Sequence, residues 1–291
     1  MGNNRMTMIN DGRTNKLLGY PVDARLIIIN ADDFGMCNAI NEAIIQTLAE
    51  GVVHSTSLMV CCPWAPQAMR FLAEHPEIPF GVHLTVICDA DNYSWGPITS
   101  WEKVPSLVDL AGKFFSVEGF PKYLNQEALY QLELEFRAQI ETVLAGGLKP
   151  AHLDWHSLHI DERDEIVDLM FRLAKEYRLV HRVTGQTWIE KIQKQGLPSN
   201  DYNLIDSFIL NPVDKPRRYA QMLHELPEGL NEWAVHPGLD NPELIALEPD
   251  GKHIRQTDFD FWTSQQAKDI IREEGIILVD YRALQVIWAG I

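Results

Sequence analysis

Ile27-Ile28-Ile29-Asn30-Ala31-Asp32-Asp33-Phe34-Gly35 joins an apolar, β-branched run to a pair of carboxylates and a glycine. Three consecutive isoleucines read as a strand buried on both faces. In α/β proteins with parallel strands, chemistry lies just beyond the carboxyl ends of the strands. Asp32 and Asp33 stand at such an end. Adjacent acids repel each other unless a cation or a shared proton compensates them. The competing reading is an Asp-rich turn capping the next helix, and this stretch alone does not choose between them.

Outward from residues 25–31, apolar β-type runs alternate with helical patterns. Residues 38–50 place Ile40, Ala43, Ile44 and Leu48 near a 3.6-residue period, with Gly51 as the stop. Further strands are expected at 52–60, 80–86, 151–153, 179–183, 204–208, 232–235 and 276–279. Helices are expected at 66–74, 126–144, 161–177, 215–225 and 263–274, with Asp161 and Glu162 suited to a helix N-terminus. Residues 88–124 break the rhythm with Gly, Pro, Asp and the aromatics Tyr93, Trp95, Trp101, Phe114 and Phe115. So many rings argue against disorder. They suit either stacking on a substrate or packing the loop onto the body. Repeated strand–helix alternation means a parallel sheet covered by helices, and in a chain of 291 residues a barrel.

Composition narrows the partners. The net charge of −16 argues against nucleic acid and against an anionic membrane surface. No apolar run approaches the ~20 residues of a membrane span. The first 24 residues carry no continuous apolar segment of the signal-peptide kind and read as a loose, polar extension. Cys37, Cys61, Cys62 and Cys88 have no zinc-ribbon spacing, and read as reduced thiols in a cytoplasmic protein.

Polar residues gather at the expected strand ends: Asp32 and Asp33, then His83 in G-V-H-L-T, then His152, Asp154, His156 and His159, then His236 in V-H-P-G. A lone histidine is more often a hydrogen-bonded core or loop residue than a ligand. Strand ends distant in sequence, however, converge at one mouth of a barrel. A carboxylate and two imidazoles there make a facial metal site with open positions. In H-x-D-x-H the strand period of two puts residues 152, 154 and 156 on one side. The alternative is a polar loop in which His152 and Asp154 bond to each other.

N-A-D-D-F-G, G-V-H-L-T, H-L-D-W-H and V-H-P-G, in this order, resemble the YdjC-like family of carbohydrate deacetylases over about residues 25–285. The resemblance implies a single-domain, irregular (β/α) TIM-like barrel with parallel strands over residues 25–291, after a polar extension at 1–24. It implies a metal-dependent hydrolase. The reaction would convert the acetamide of N-acetylated, chitooligosaccharide-like sugars to free amine and acetate. The cofactor would be one divalent metal ion, zinc or magnesium; two imidazoles suit zinc better. Asp33, His83 and His156 match the metal-binding positions, Asp32 the general base and His236 the proton donor opposite. Family members continue the fourth motif with further histidines, whereas here Ser157 and Leu158 follow His156. That departure leaves the sugar open.

Two other classes compete. A barrel phosphoesterase could use the same ligands, but the motifs lack an Arg/Lys cluster or a glycine-rich phosphate loop. A non-catalytic sugar-binding protein could keep the fold, but the polar set is complete. The expected partners are a small-molecule or oligosaccharide substrate and, as an open option, a second copy in a homodimer. Nucleic acid and membrane are not expected.

Overall fold

The computed structural model describes residues 12–90, 92–158 and 163–290. Its strands are β1 (Arg25–Phe34), β2 (Ser55–Leu58), β3 (Phe80–Leu84), β4 (His152–Trp155), β5 (Val180–His181), β6 (Ile205–Asp206), β7 (Gly229–Val235) and β8 (Ile277–Leu278). All pair in parallel, in the order β5-β4-β3-β2-β1-β7-β6, with β8 against the start of β1. The sheet curls into a partial barrel with helices between successive strands, the single-domain TIM-like α/β architecture expected from the alternation. Ile27, Ile28 and Ile29 are buried in the core, as an uninterrupted β-branched run requires.

The helix Asn38–Glu50 has the bounds its periodicity predicts and buries Ile40, Ala43 and Ile44. The helix Gln126–Ala145 starts where the Asn125 side chain accepts a hydrogen bond from the Ala128 amide at 2.8 Å, which satisfies one orphan donor of the first turn. The helix after β4 runs Asp164–Tyr177, and Asp164 and Glu165 occupy its first turn. Asp161 and Glu162, expected there, lie outside the described residues, as does His159.

One expectation needs correction, for the part of the N-terminal segment inside the described residues. Residues 12–24 are not loose. They hold a helix, Arg13–Leu18, whose Thr14 and Asn15 are buried. Thr14 Oγ1 donates to the Ser199 carbonyl at 2.8 Å, and Asn15 Nδ2 donates to the Ala24 carbonyl at 2.9 Å. Polar side chains bury readily when backbone carbonyls satisfy them. Of the two readings open for the aromatics of the long loop, Trp95 and Phe114 follow packing. Trp95 is buried and donates its indole N–H to the Ile87 carbonyl at 2.9 Å, and Phe114 is buried beside it in the core. These two rings pack the loop onto the barrel, whereas Trp101 is exposed. Periodicity also missed the helices Gln186–Gln193, Pro242–Leu247, Lys252–Thr263 and Tyr281–Trp288. Among the described residues no helix is long and apolar enough to cross a membrane.

Candidate active site

A strand points successive side chains to opposite faces, so neighbouring Asp32 and Asp33 should diverge. β1 avoids this with a bulge. Its register against β2 runs Asn30–Ser55 and Ala31–Thr56, then shifts to Phe34–Leu58, leaving two residues of β1 opposite Ser57 alone. Asp33 takes a left-handed backbone, φ 72°, which is sparsely populated by non-glycine residues. Both acids consequently line one cavity of about 430 Å³.

The acids have separate surroundings. Asp33 Oδ1 lies 2.9 Å from His156 Nδ1 and 3.3 Å from His83 Nε2, and its Oδ2 accepts from Arg255 Nη2 at 2.9 Å. Burial works against ionisation of Asp33, but Arg255 and His156 outweigh it and hold its carboxyl well below the usual carboxylate range. Asp32 turns to Arg182, which donates to both of its oxygens at 2.7 and 2.9 Å, and Asn30 Nδ2 adds a 2.7 Å bond.

Strand register supplies the imidazoles. His83 is the Cα partner of Asp154, and His83 Nδ1 donates to Asp154 Oδ1 at 2.9 Å. Burial alone would depress the His83 pKa, yet Asp154, with hydrogen bonds to Asp154 and Asp33, lifts it to about 9. His156 follows β4 directly, and its Nε2 meets Asp89 Oδ1 at 2.9 Å. Burial opposes protonation there too, and Asp89 and Asp33 raise the pKa well above the ordinary histidine value.

His152 shares the interior side with Asp154, as the period of two requires, but stays away from the cluster. Its ring stacks on Tyr281 at 3.6 Å between centroids, and Nε2 lies 3.3 Å from Asp154 Oδ2. The pairing of His152 with Asp154 was one of the readings open in the sequence. Gly81, its partner across the ladder, leaves room for the ring: a Cβ there would stand 2.4 Å from His152 Nε2.

His236 follows β7. The pairing of Ala31 with Val235 brings it to the level of Asp32, and it lines the same cavity. Its Nδ1 lies 3.0 Å from Ser207 Oγ, and Ser207 donates in turn to Asp258. Asp258 also accepts from the His236 amide at 2.8 Å, Lys215 Nζ at 2.8 Å and Tyr219 Oη at 2.7 Å.

Sequence reasoning missed Arg182, Arg255 and Asp89. Arg182 is buried among carboxylates: besides Asp32 it contacts Asp154 at 3.0 Å and Glu232 at 2.6 Å. Its signal was available, since a charge inside the expected strand 179–183 demands a buried partner. Arg255 sits near the start of the helix Lys252–Thr263 and Asp89 opens the long loop; neither carries a local signal.

The donor set fits a divalent cation. Asp33, His83 and His156 each offer one ligand atom, all within 4.8 Å of one another and all buried. One carboxylate and two imidazoles is a set that zinc and similar ions accept. Asp32, His83 and Asp154 meet the same distance criterion. In that second set Asp32 and Asp154 already bind Arg182, a cation in place.

Fold and site together define an α/β-barrel protein with an acid–imidazole cluster at the carboxyl ends of its strands. The sequence profile described as YdjC-like protein matches residues 26–273, so the chain belongs to the YdjC-like family. It is 31% identical over 262 residues to a carbohydrate deacetylase of Thermoanaerobacter pseudethanolicus, covering 90% of this chain and 100% of that one. A carbohydrate deacetylase of Geobacillus stearothermophilus is 35% identical over 265 residues, covering 89% and 97%. The crystal structure of an Enterococcus faecalis V583 protein, provisionally assigned to cellobiose-phosphate cleavage, superposes with a TM-score of 0.76. It is 28% identical and covers 90% of this chain and 99% of that one.

Proposed function

We propose that this protein is a metal-dependent carbohydrate deacetylase that hydrolyses the acetamide of N-acetylated sugars or oligosaccharides to a free amine and acetate. The observation that carries it is the division of labour at β1: Asp33 joins two imidazoles in a cation-binding triad, while Asp32 faces the same cavity from a separate anchorage. Asp33, His83 and His156 would hold a divalent cation, which would supply Lewis-acid polarisation of a carbonyl and acidify a water. Asp32 takes the proton of the attacking water. Arg182 and Asn30 fix its carboxylate, so the base meets the water in one orientation. The water oxygen bonds to the acetyl carbon, the C–N bond breaks, and His236 gives a proton to the departing amine. Its link through Ser207 to Asp258 fixes the ring, with Nδ1 turned away from the substrate.

The cavity wall includes Trp155 and Phe208, apolar faces on which a sugar ring can lie. Its guanidinium groups, Arg182 and Arg255, are committed to carboxylates. That favours an uncharged acetamide sugar over a phosphate ester. The test is acetate release from N-acetylglucosamine and its short oligomers, beside phosphate release from sugar phosphates, each with and without chelator. Acetate release that chelation abolishes and zinc restores is expected. Phosphate release without acetate release overturns the reading.

A further inference from the structure

Each imidazole of the triad is held on its far side by a carboxylate. Behind His83 stands Asp154, buried and pinned by Arg182. Behind His156 stands Asp89, a different kind of group. It belongs to the loop after β3, its side chain is 29% exposed, and it lines the substrate cavity. Its Oδ1 faces His156 Nε2 at 2.9 Å, while Oδ2 accepts a hydrogen bond from Ser157 Oγ. Ser157 has a left-handed backbone, φ 44°, unusual for a residue other than glycine.

We infer that Asp89 is a positioning residue for the metal triad: it holds the His156 ring with Nδ1 aimed at Asp33, and Ser157 holds Asp89. An imidazole can give Nδ1 to a cation only when the remaining proton sits on Nε2. In a buried site that N–H needs an acceptor. Asp89 supplies it, fixing the tautomer and raising the basicity of Nδ1, as carboxylates behind metal-bound histidines do. Because Asp89 also forms part of the cavity wall, the placement of the long loop and the quality of the metal site are linked through one side chain.

The inference rests on the proposed triad, and the experiment separates the two. Zinc affinity is measured by competition with a chromophoric chelator in the wild type, Asp33→Asn, Asp89→Ala, Ser157→Ala and the Asp89→Ala/Ser157→Ala double variant. Thermal unfolding of each metal-free protein reports on the fold. Asp89→Ser replaces Asp89→Ala if the latter does not fold. Asp89→Ala should weaken zinc binding ~10–100-fold in a metal-free protein that still unfolds cooperatively, though with lower stability because the His156–Asp89 pair is lost. Ser157→Ala should lose less, and the double variant no more than Asp89→Ala alone. If Asp33→Asn loses zinc while Asp89→Ala loses less than about tenfold, the positioning role is overturned. If Asp89→Ala loses as much as Asp33→Asn, Asp89 is a ligand, and the positioning role again falls. A double variant clearly worse than Asp89→Ala removes Ser157 from the arrangement. Zinc binding that Asp33→Asn leaves unchanged overturns the triad itself, and the inference with it.

Discussion

His83 and Asp154 face each other as Cα partners across the β3–β4 ladder, and their side chains meet at 2.9 Å. The same imidazole turns Nε2 to Asp33 at 3.3 Å, so one ring lies between two carboxylates. A ring so placed favours a proton on each nitrogen in the metal-free protein, and it must lose the one on Nε2 to bind a cation there.

The first prediction follows from that proton. Burial opposes the charge on His83, but Asp154 prevails and the pKa reaches about 9. At pH 7 the free site is therefore protonated. Zinc binding should release protons and tighten steeply as pH rises toward 9. Calorimetry in buffers of different ionisation enthalpy counts the protons; no release would contradict the assignment. Stability has the opposite sign. A folded pKa above the unfolded value of ~6.5 gives stabilisation that is complete below that pH. It is lost as pH rises through about 9. The urea midpoint of the metal-free protein should fall across this window.

Arg182 binds three buried carboxylates: Asp32 at 2.7 Å, Asp154 at 3.0 Å and Glu232 at 2.6 Å. Removing the cation leaves those charges unpaired in the core. Arg182→Met should cost ~3–5 kcal/mol, the usual penalty for breaking a buried pair from one side. Arg182→Lys should recover part of it, since an ammonium restores charge but not the two-pronged grip on Asp32. Denaturant unfolding measures both. A loss below about 1 kcal/mol for Arg182→Met would mean that the carboxylates take up protons instead.

Gly81→Ala tests how the His152 ring is housed. The added methyl would stand 2.4 Å from His152 Nε2, and Tyr281 closes the opposite face at 3.6 Å between centroids. The ring has nowhere to retreat, so overpacking should destabilise by ~1–3 kcal/mol. Unchanged stability would show that β3 and β4 can move apart.

How far the sequence reveals this arrangement depends on where each signal resides. The isoleucine run and the helix Asn38–Glu50 are legible because burial writes a local period. Asp33, His83, His156 and His236 are legible because each sits at or near a strand end, where parallel topology gathers side chains. The bulge is not legible. Period-two reasoning separates Asp32 from Asp33, and only the positive φ of Asp33 brings them to one cavity. Arg255 and Asp89 are equally silent. Their partners are Asp33, in β1, and His156, after β4, and tertiary packing alone brings them together.

The roles of the two β1 acids separate by substitution. Asp32→Asn keeps the triad and should keep zinc while losing turnover, because a carboxamide cannot accept the water's proton. Arg182 retains Asp154 and Glu232 as partners, so the variant should fold. Asp33→Asn should lose zinc itself. Metal content and rate, measured on both variants, decide this. Equal zinc loss in the two would make Asp32 a ligand.

His236 lines the cavity at the level of Asp32, on the neighbouring strand end. Its Nδ1 faces Ser207 Oγ at 3.0 Å, Ser207 donates to Asp258, and the Asp258 carboxylate also holds the His236 amide at 2.8 Å. A ring anchored through Nδ1 keeps Nε2 available to the substrate. An amine leaves poorly as an anion, so it needs a proton as the C–N bond breaks. An activated aryl ester does not. His236→Ala should therefore lower turnover on acetamide sugars by ~10²–10⁴-fold while sparing aryl acetates. Ser207→Ala should show the same selectivity with a smaller loss, because it loosens the ring without removing it. Comparing both variants on an acetamide and an aryl acetate, at equal metal content, measures the proton's contribution to C–N cleavage. Equal losses on the two substrates would mean that His236 serves only to shape the turn at Pro237 and Gly238.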